Sequence, residues 1–148
     1  VTLVDTSAWI ACLEKGSLRI ERFVPFDEVV TCLPVMQEVL QGFGDEGVYR
    51  RATAAFLALP TVESPLADAV FLEAVDLYRR ARRSGLTVRS GVDCLIAACA
   101  IRHDLEILHD DRDYPAIARV SSLRERRIRR RRVRLSAQPA GRTAGRGS

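Results

Sequence analysis

No apolar run in these 148 residues approaches the roughly 18–20 needed to cross a bilayer. Asp5 interrupts the first apolar run, so no charged start followed by a signal-type stretch is seen either, and a cytosolic protein is expected. Cysteine is sparse and unpaired. Cys12, Cys32, Cys94 and Cys99 form no CxxC, and the two histidines, His103 and His109, complete no zinc pattern. All four cysteines lie in apolar segments and read as small buried hydrophobes, without disulfides or structural zinc. Lysine is nearly missing: Lys15 is the lone exception among 23 basic residues.

What is present suffices for one domain with its own core: the length is ordinary for a single domain and 47% of residues are hydrophobic. The net charge of +4 conceals a split. Residues 1–118 carry 12 basic and 18 acidic side chains, a balance of −6, whereas residues 119–148 carry 11 arginines and one glutamate, a balance of +10. An acidic body with a basic tail points to a nucleic-acid partner.

Short β-type runs alternate with helical patterns. Thr2-Leu3-Val4 is followed by Asp5, then a helix capped by Thr6 or Ser7 and running through Ala8–Leu13. A short helix is expected over 18–24 and a strand over Glu28–Cys32. Pro34 suits a helix start, with Val35, Met36, Val39, Leu40 and Phe43 as the apolar stripe. Further helices are expected over about 46–59 and 66–83, with a strand at 61–63 between them. Residues 91–102 form a helix apolar nearly all round, hence buried, with Asp93 at its start. Glu106–His109 is the next strand, a helical turn follows at 116–118, and Val120 suits the start of a last edge strand. Segment 124–134 holds eight arginines in eleven positions, and the polar remainder is expected to be disordered. The pattern predicts an α/β fold, a three-layer α/β/α domain over 1–120 with a mostly parallel central sheet, and an Arg-rich, disordered tail over 121–148.

Asp110, Asp111 and Asp113 crowd the end of the Glu106–His109 strand, where carboxylates repel unless a cation or basic partner neutralises them. Open α/β sheets bind ligands at this edge, yet an Asp-rich solvated turn explains the same residues equally well. Asp5 is open to both readings too, as a site carboxylate or a helix cap, and Glu38 suits a helix N-terminus for dipole reasons alone. Together, Asp5, Glu38, Asp93, Asp111 and Asp113 form a set of hard oxygen donors suited to Mg²⁺ or Mn²⁺. Such ions activate water and stabilise a departing phosphodiester oxygen.

The segments VDTSAWI at 4–10, PVMQEVLQG at 34–42, TVRSGVDCLIAACAIRH at 87–103 and ILHDDRDYPAIA at 107–118 resemble the PIN-domain ribonucleases, specifically VapC-type toxins of type II toxin–antitoxin systems. The resemblance covers about residues 1–120, and the stretch around Asp93 is its most specific part. It implies that Asp5, Glu38 and Asp93 are a metal-holding triad, with Asp111 the fourth catalytic acid and Asp113 a ligand or its neighbour. Ser7 would hydrogen-bond within the site, and Arg112 would orient the acids or meet phosphate. It also implies a PIN-type fold, Mg²⁺- or Mn²⁺-dependent cleavage of tRNA or rRNA loops, a cognate antitoxin and a homodimer. The tail departs from the family pattern.

Two other acid-rich enzyme classes fit less well. A haloacid-dehalogenase-type phosphatase needs an acid at position 7, where Ser7 stands, and a receiver domain needs a lysine beyond Lys15. The non-enzymatic alternative is an RNA-binding or regulatory module that works through its arginine tail.

Overall fold

The structure, a computed structural model, describes residues 1–15 and 18–128. Five strands form one sheet: β1 (Thr2–Val4), β2 (Val29–Cys32), β3 (Thr61–Val62), β4 (Glu106–His109) and β5 (Arg124–Arg127). Every pairing is parallel and the order is β3-β2-β1-β4-β5. The helices are α1 (Thr6–Lys15), α2 (Leu33–Leu40), α3 (Glu46–Leu57), α4 (Asp68–Arg83), α5 (Gly91–Arg102) and α6 (Asp113–Ala118). This is the three-layer α/β/α arrangement expected from the alternation of elements, with a sheet parallel throughout.

The central strands β1, β2 and β4 are short and largely apolar because both their faces are covered. Alternate residues serve opposite cores. Leu3, Val30 and Ile107 point into the larger one, with α4, α5 and α6 residues such as Leu77, Ile96 and Ile117. Val4, Val29 and Leu108 point into the smaller one, with Ala8, Ile20, Val24 and Ile128. Helix α5 is the most enclosed, with Cys94 and Ile96–Ala100 all buried, so only a helix apolar all round fits there. Helix α4 buries one stripe, Val70, Ala74, Leu77 and Ala81, and ends where Gly85 adopts φ +73°. There Gly85 and Leu86 donate to the carbonyls of Arg82 and Ala81, a left-handed stop that suits glycine.

The topology positions the site. From central β1 the chain builds outward through β2 and β3, then returns to pair β4 on the other side of β1. The order therefore reverses between β1 and β4, and a crevice opens beyond their carboxyl ends. Asp5 directly follows β1 and Asp110–Asp113 directly follow β4, so both fall at that crevice.

Some local expectations change. Segment 18–24 makes only a 3₁₀ turn at Ile20–Arg22, because Pro25 lacks the N–H needed to continue it. The helical turn at 116–118 is a full helix from Asp113, since Pro115 sits in a first turn whose N–H groups need no intrahelical partner. The last strand starts at Arg124 rather than near Val120, inside the stretch assigned to the tail. Its charges suit a sheet edge: Arg126 pairs with Glu106 at 2.8 Å across the ladder. The sheet therefore extends past the 1–120 boundary, and the arginine segment divides. Its first part, expected to be disordered with the rest of 121–148, is instead a strand held by pairing to β4, and positions 129–148 lie outside the described residues. Cys32, Cys94 and Cys99 are buried, and all four thiols are free. No helix among the described residues is long and apolar enough to cross a membrane.

Candidate active site

Asp93, Asp111 and Asp113 come together. Each brings a carboxylate oxygen, and the three oxygens lie within 4.8 Å of one another. They line a cleft of about 410 Å³ with Arg89, Ser90, Asp110, Arg112 and Arg127. Asp93 projects from the first turn of α5, where the Ser90 hydroxyl caps the helix by accepting the Asp93 N–H at 3.2 Å. Asp113 is nearly buried, and its Oδ2 accepts the backbone N–H groups of Arg89 (2.7 Å) and Ser90 (3.0 Å). Asp111 accepts the Asp113 N–H through Oδ1 at 2.9 Å, which folds the turn after β4 onto itself.

Asp5 adjoins this trio from β1. It is buried, yet every oxygen has a donor: Oδ2 accepts the Ser7 N–H (2.8 Å) and hydroxyl (2.5 Å), and Oδ1 accepts the Tyr114 hydroxyl (2.5 Å). The Ser7 oxygen in turn accepts the Asp110 N–H at 2.9 Å. One hydroxyl thus ties the turn after β1 to the turn after β4. Glu38 stands apart. Thr6 donates to its Oε2 at 2.7 Å, and it lines a neighbouring cleft between α1 and α2 with Ile10, Leu13, Val39 and Phe43. Arg112 is exposed at the start of α6, between the two acids it was expected to serve.

The charges act on one another across the site. Burial, followed by repulsion from Asp5, Asp111, Asp113 and Glu38, pushes the Asp93 carboxyl up to about 8. A carboxyl so crowded holds a proton at neutral pH until a cation replaces it. Burial and the Asp5 charge push the Tyr114 phenol well above its ordinary range, so it remains a hydrogen-bond donor.

Behind the acids lies a support that the sequence did not reveal. His109 is wholly buried at the end of β4. Its Nδ1 accepts the Asp111 N–H at 3.1 Å, which leaves the proton on Nε2, donated to Glu125 of β5 at 2.5 Å. Its ring lies 4.9 Å from that of Tyr114. Ser90, three residues before an acid and ahead of an apolar run, carried a readable cap signal. Thr6 lies within a quoted motif. Arg89 and Tyr114 also lie within matching segments but carry no sign of a role, and Glu125 and Arg127 carry none either, because their partners are far away in the chain.

A parallel α/β domain with carboxylates converging at its strand ends belongs to a class of folds whose site is able to hold a cation beside a substrate. Similarity to known proteins narrows that class. The PIN domain family model matches residues 2–120. Ribonuclease VapC11 of Mycobacterium tuberculosis is 37% identical over 128 residues, covering 82% of this chain and 94% of that protein. VapC ribonuclease Mb1587 of Mycobacterium bovis matches to the same extent. Among solved structures, VapBC2 from Rickettsia felis, bound to a DNA fragment from its promoter, superposes with a TM-score of 0.68 at 14% identity, over 86% of this chain and 98% of that one. VapC20 of M. tuberculosis, described as a sarcin–ricin-loop-cleaving toxin, gives 0.61 at 20% identity, over 84% and 99%. The chain belongs to the PIN-domain family, and within it to the VapC ribonucleases.

Proposed function

We propose that this VapC-family ribonuclease is a divalent-cation-dependent endoribonuclease toxin that cuts exposed loops of tRNA or rRNA and is neutralised by a cognate antitoxin. The observation carrying the reading is the meeting of Asp93, Asp111 and Asp113 at the switch point of the sheet. The donor set fits Mg²⁺ or Mn²⁺: all three ligands offer hard oxygens, and Asp93 is crowded enough to be relieved by a positive charge. Asp93, Asp111 and Asp113 would hold the ion, with Asp5 and Glu38 completing the acidic set. When bound, it supplies Lewis acidity and a more acidic water for phosphodiester hydrolysis. The chain's own residues keep the acids in place. Ser7 and Tyr114 orient Asp5, Thr6 orients Glu38, and the backbone of Arg89 and Ser90 orients Asp113. Unstacked loop nucleotides suit such a recessed site better than a duplex, whose grooves offer no approach to it.

An antitoxin partner follows from the family and from the VapBC complexes among its structural relatives. Homodimerisation is supported by an apolar surface of α4 and α5. Phe71, Leu72 and Val75 are about half exposed or more, and a hollow of about 580 Å³ lies between the two helices.

Incubation of the purified protein with total tRNA and rRNA, with Mg²⁺ or Mn²⁺ and with EDTA, tests the activity. Discrete fragments that need the cation and vanish in Asp5→Asn are expected. Cleavage retained in Asp93→Asn would sink the assignment. Salt-sensitive RNA binding without cleavage would favour the binding module.

A further inference from the structure

The cleft that holds the acids also holds three arginines, each from a different segment. Arg89 precedes α5, Arg112 lies in the turn between β4 and α6, and Arg127 ends β5. Their backbones are fixed. The Arg89 N–H donates to Asp113, Arg127 is in register with His109, and Arg112 begins α6. Four aspartates share the same walls, so each arginine has an anionic neighbour available. Yet among the described residues Arg89 and Arg112 form no ion pair, and Arg127 reaches only Asp110, at 3.4 Å and with its side chain 55% exposed. Two guanidinium groups thus stand at the rim of an acidic cleft with donors unused, and a third is loosely held.

The charge balance shows what they suit. Aspartates outnumber arginines four to three on its walls, and Asp5 and Glu38 add acidic groups close enough to act on Asp93, so without a cation the cleft does not favour a polyanion. A divalent cation held by the aspartates offsets that charge, and the three arginines line the same cleft beside its ligands. Guanidinium groups bind phosphate oxygens through paired N–H donors. We propose that Arg89, Arg112 and Arg127 form a phosphate-gripping rim that holds the RNA backbone on either side of the scissile bond. This rests on the nuclease reading above and extends to Arg89 and Arg127 the phosphate contact that the family resemblance implies for Arg112. Arg127 lies beyond residues 2–120, the span of the family match, so the grip includes a group supplied by β5.

Binding of a short fluorescein-labelled single-stranded RNA of mixed sequence is measured by anisotropy across a salt series, with Ca²⁺ as the oxygen-ligated cation. Arg89→Gln, Arg112→Gln and Arg127→Gln are each expected to weaken binding about threefold to tenfold and to reduce the log–log salt slope by about 0.7, the single-strand value for one lost phosphate contact. KM should rise more than kcat falls, and Mn²⁺ affinity measured by electron paramagnetic resonance should not change. Arg→Lys variants keep the charge and should recover most of the slope, which separates lost contact from lost fold. Arg50→Gln on α3, outside the cleft, should behave as wild type. Wild-type affinity and slope in the rim variants, or an equal loss in Arg50→Gln, would overturn the rim while leaving the nuclease intact. A wild-type protein that neither binds nor cuts RNA would overturn both.

Discussion

Asp93 is buried at the head of an apolar helix while four other carboxylates press on it. Its folded-state carboxyl, near 8, lies far above the ordinary value of about 4 in an unfolded chain. Between these limits the folded protein keeps a proton that the unfolded chain has released. Stability from this group is therefore full below about pH 4 and is lost as pH rises toward 8. Urea denaturation in EDTA between pH 5 and pH 8.5 (roughly the window where the two states differ) should show stability falling as pH rises. The slope should flatten in Asp93→Asn or with saturating Mn²⁺. Tyr114 makes a second residue-level case. Tyr114→Phe removes one of three donors to buried Asp5 and should cost about 1–3 kcal/mol in urea denaturation, with weaker Mn²⁺ binding. The acids themselves were visible in the sequence because each lies in a quoted motif. Tyr114 lies in one as well, yet its role was not visible, because a tyrosine beside apolar residues reads as core and its partner is 109 positions away.

Strand β5 is the element whose role changes most between sequence and structure. As RERR it reads as part of a charged tail, yet it pairs with β4 at four positions and anchors His109 through Glu125. Ile128, just beyond it, is buried in the smaller core and donates its N–H to the His109 carbonyl at 2.8 Å. Truncation after Val120 should therefore expose the β4 edge and abolish the cooperative thermal transition. Truncation after Ile128 should keep it, with metal-dependent cleavage intact. Circular dichroism melts of the two truncations, beside a cleavage assay, check this. A deletion beginning at residue 124 cannot test the tail alone, since it removes a strand. Hydrophobic alternation, the usual strand signal, is absent from an edge strand whose side chains pair with charges instead of filling a core.

For the whole molecule, charge and apolar surface describe two different faces. The carboxyl edge of the sheet combines acids with arginines, while α4 and α5 present Phe71, Leu72, Val75 and Val92 to solvent. Arg89 borders both the acidic cleft and the apolar hollow, so the proposed homodimer face adjoins the site. A dimer that buries this face is self-complementary, and a charge placed at its centre should split it. Light scattering should give the monomer mass for Phe71→Asp or Val75→Asp where wild type gives twice that mass. An unchanged mass in both variants would place the dimer contact elsewhere.

The parallel α/β alternation, the buried character of α5, the family and the candidate acids are legible in strand and helix periods, caps and motif spacing, which are local properties of the chain. Only the tertiary structure decided how those acids are arranged. It brings Asp93, Asp111 and Asp113 within ligand distance of one another, seals Asp5 behind Ser7 and Tyr114, and turns Glu38 toward another cleft. It also moved Arg127 from tail to cleft. The physical reason is that strand order and register are fixed by which apolar faces can be buried together. That choice sets distances between residues about a hundred positions apart, on which no local pattern bears.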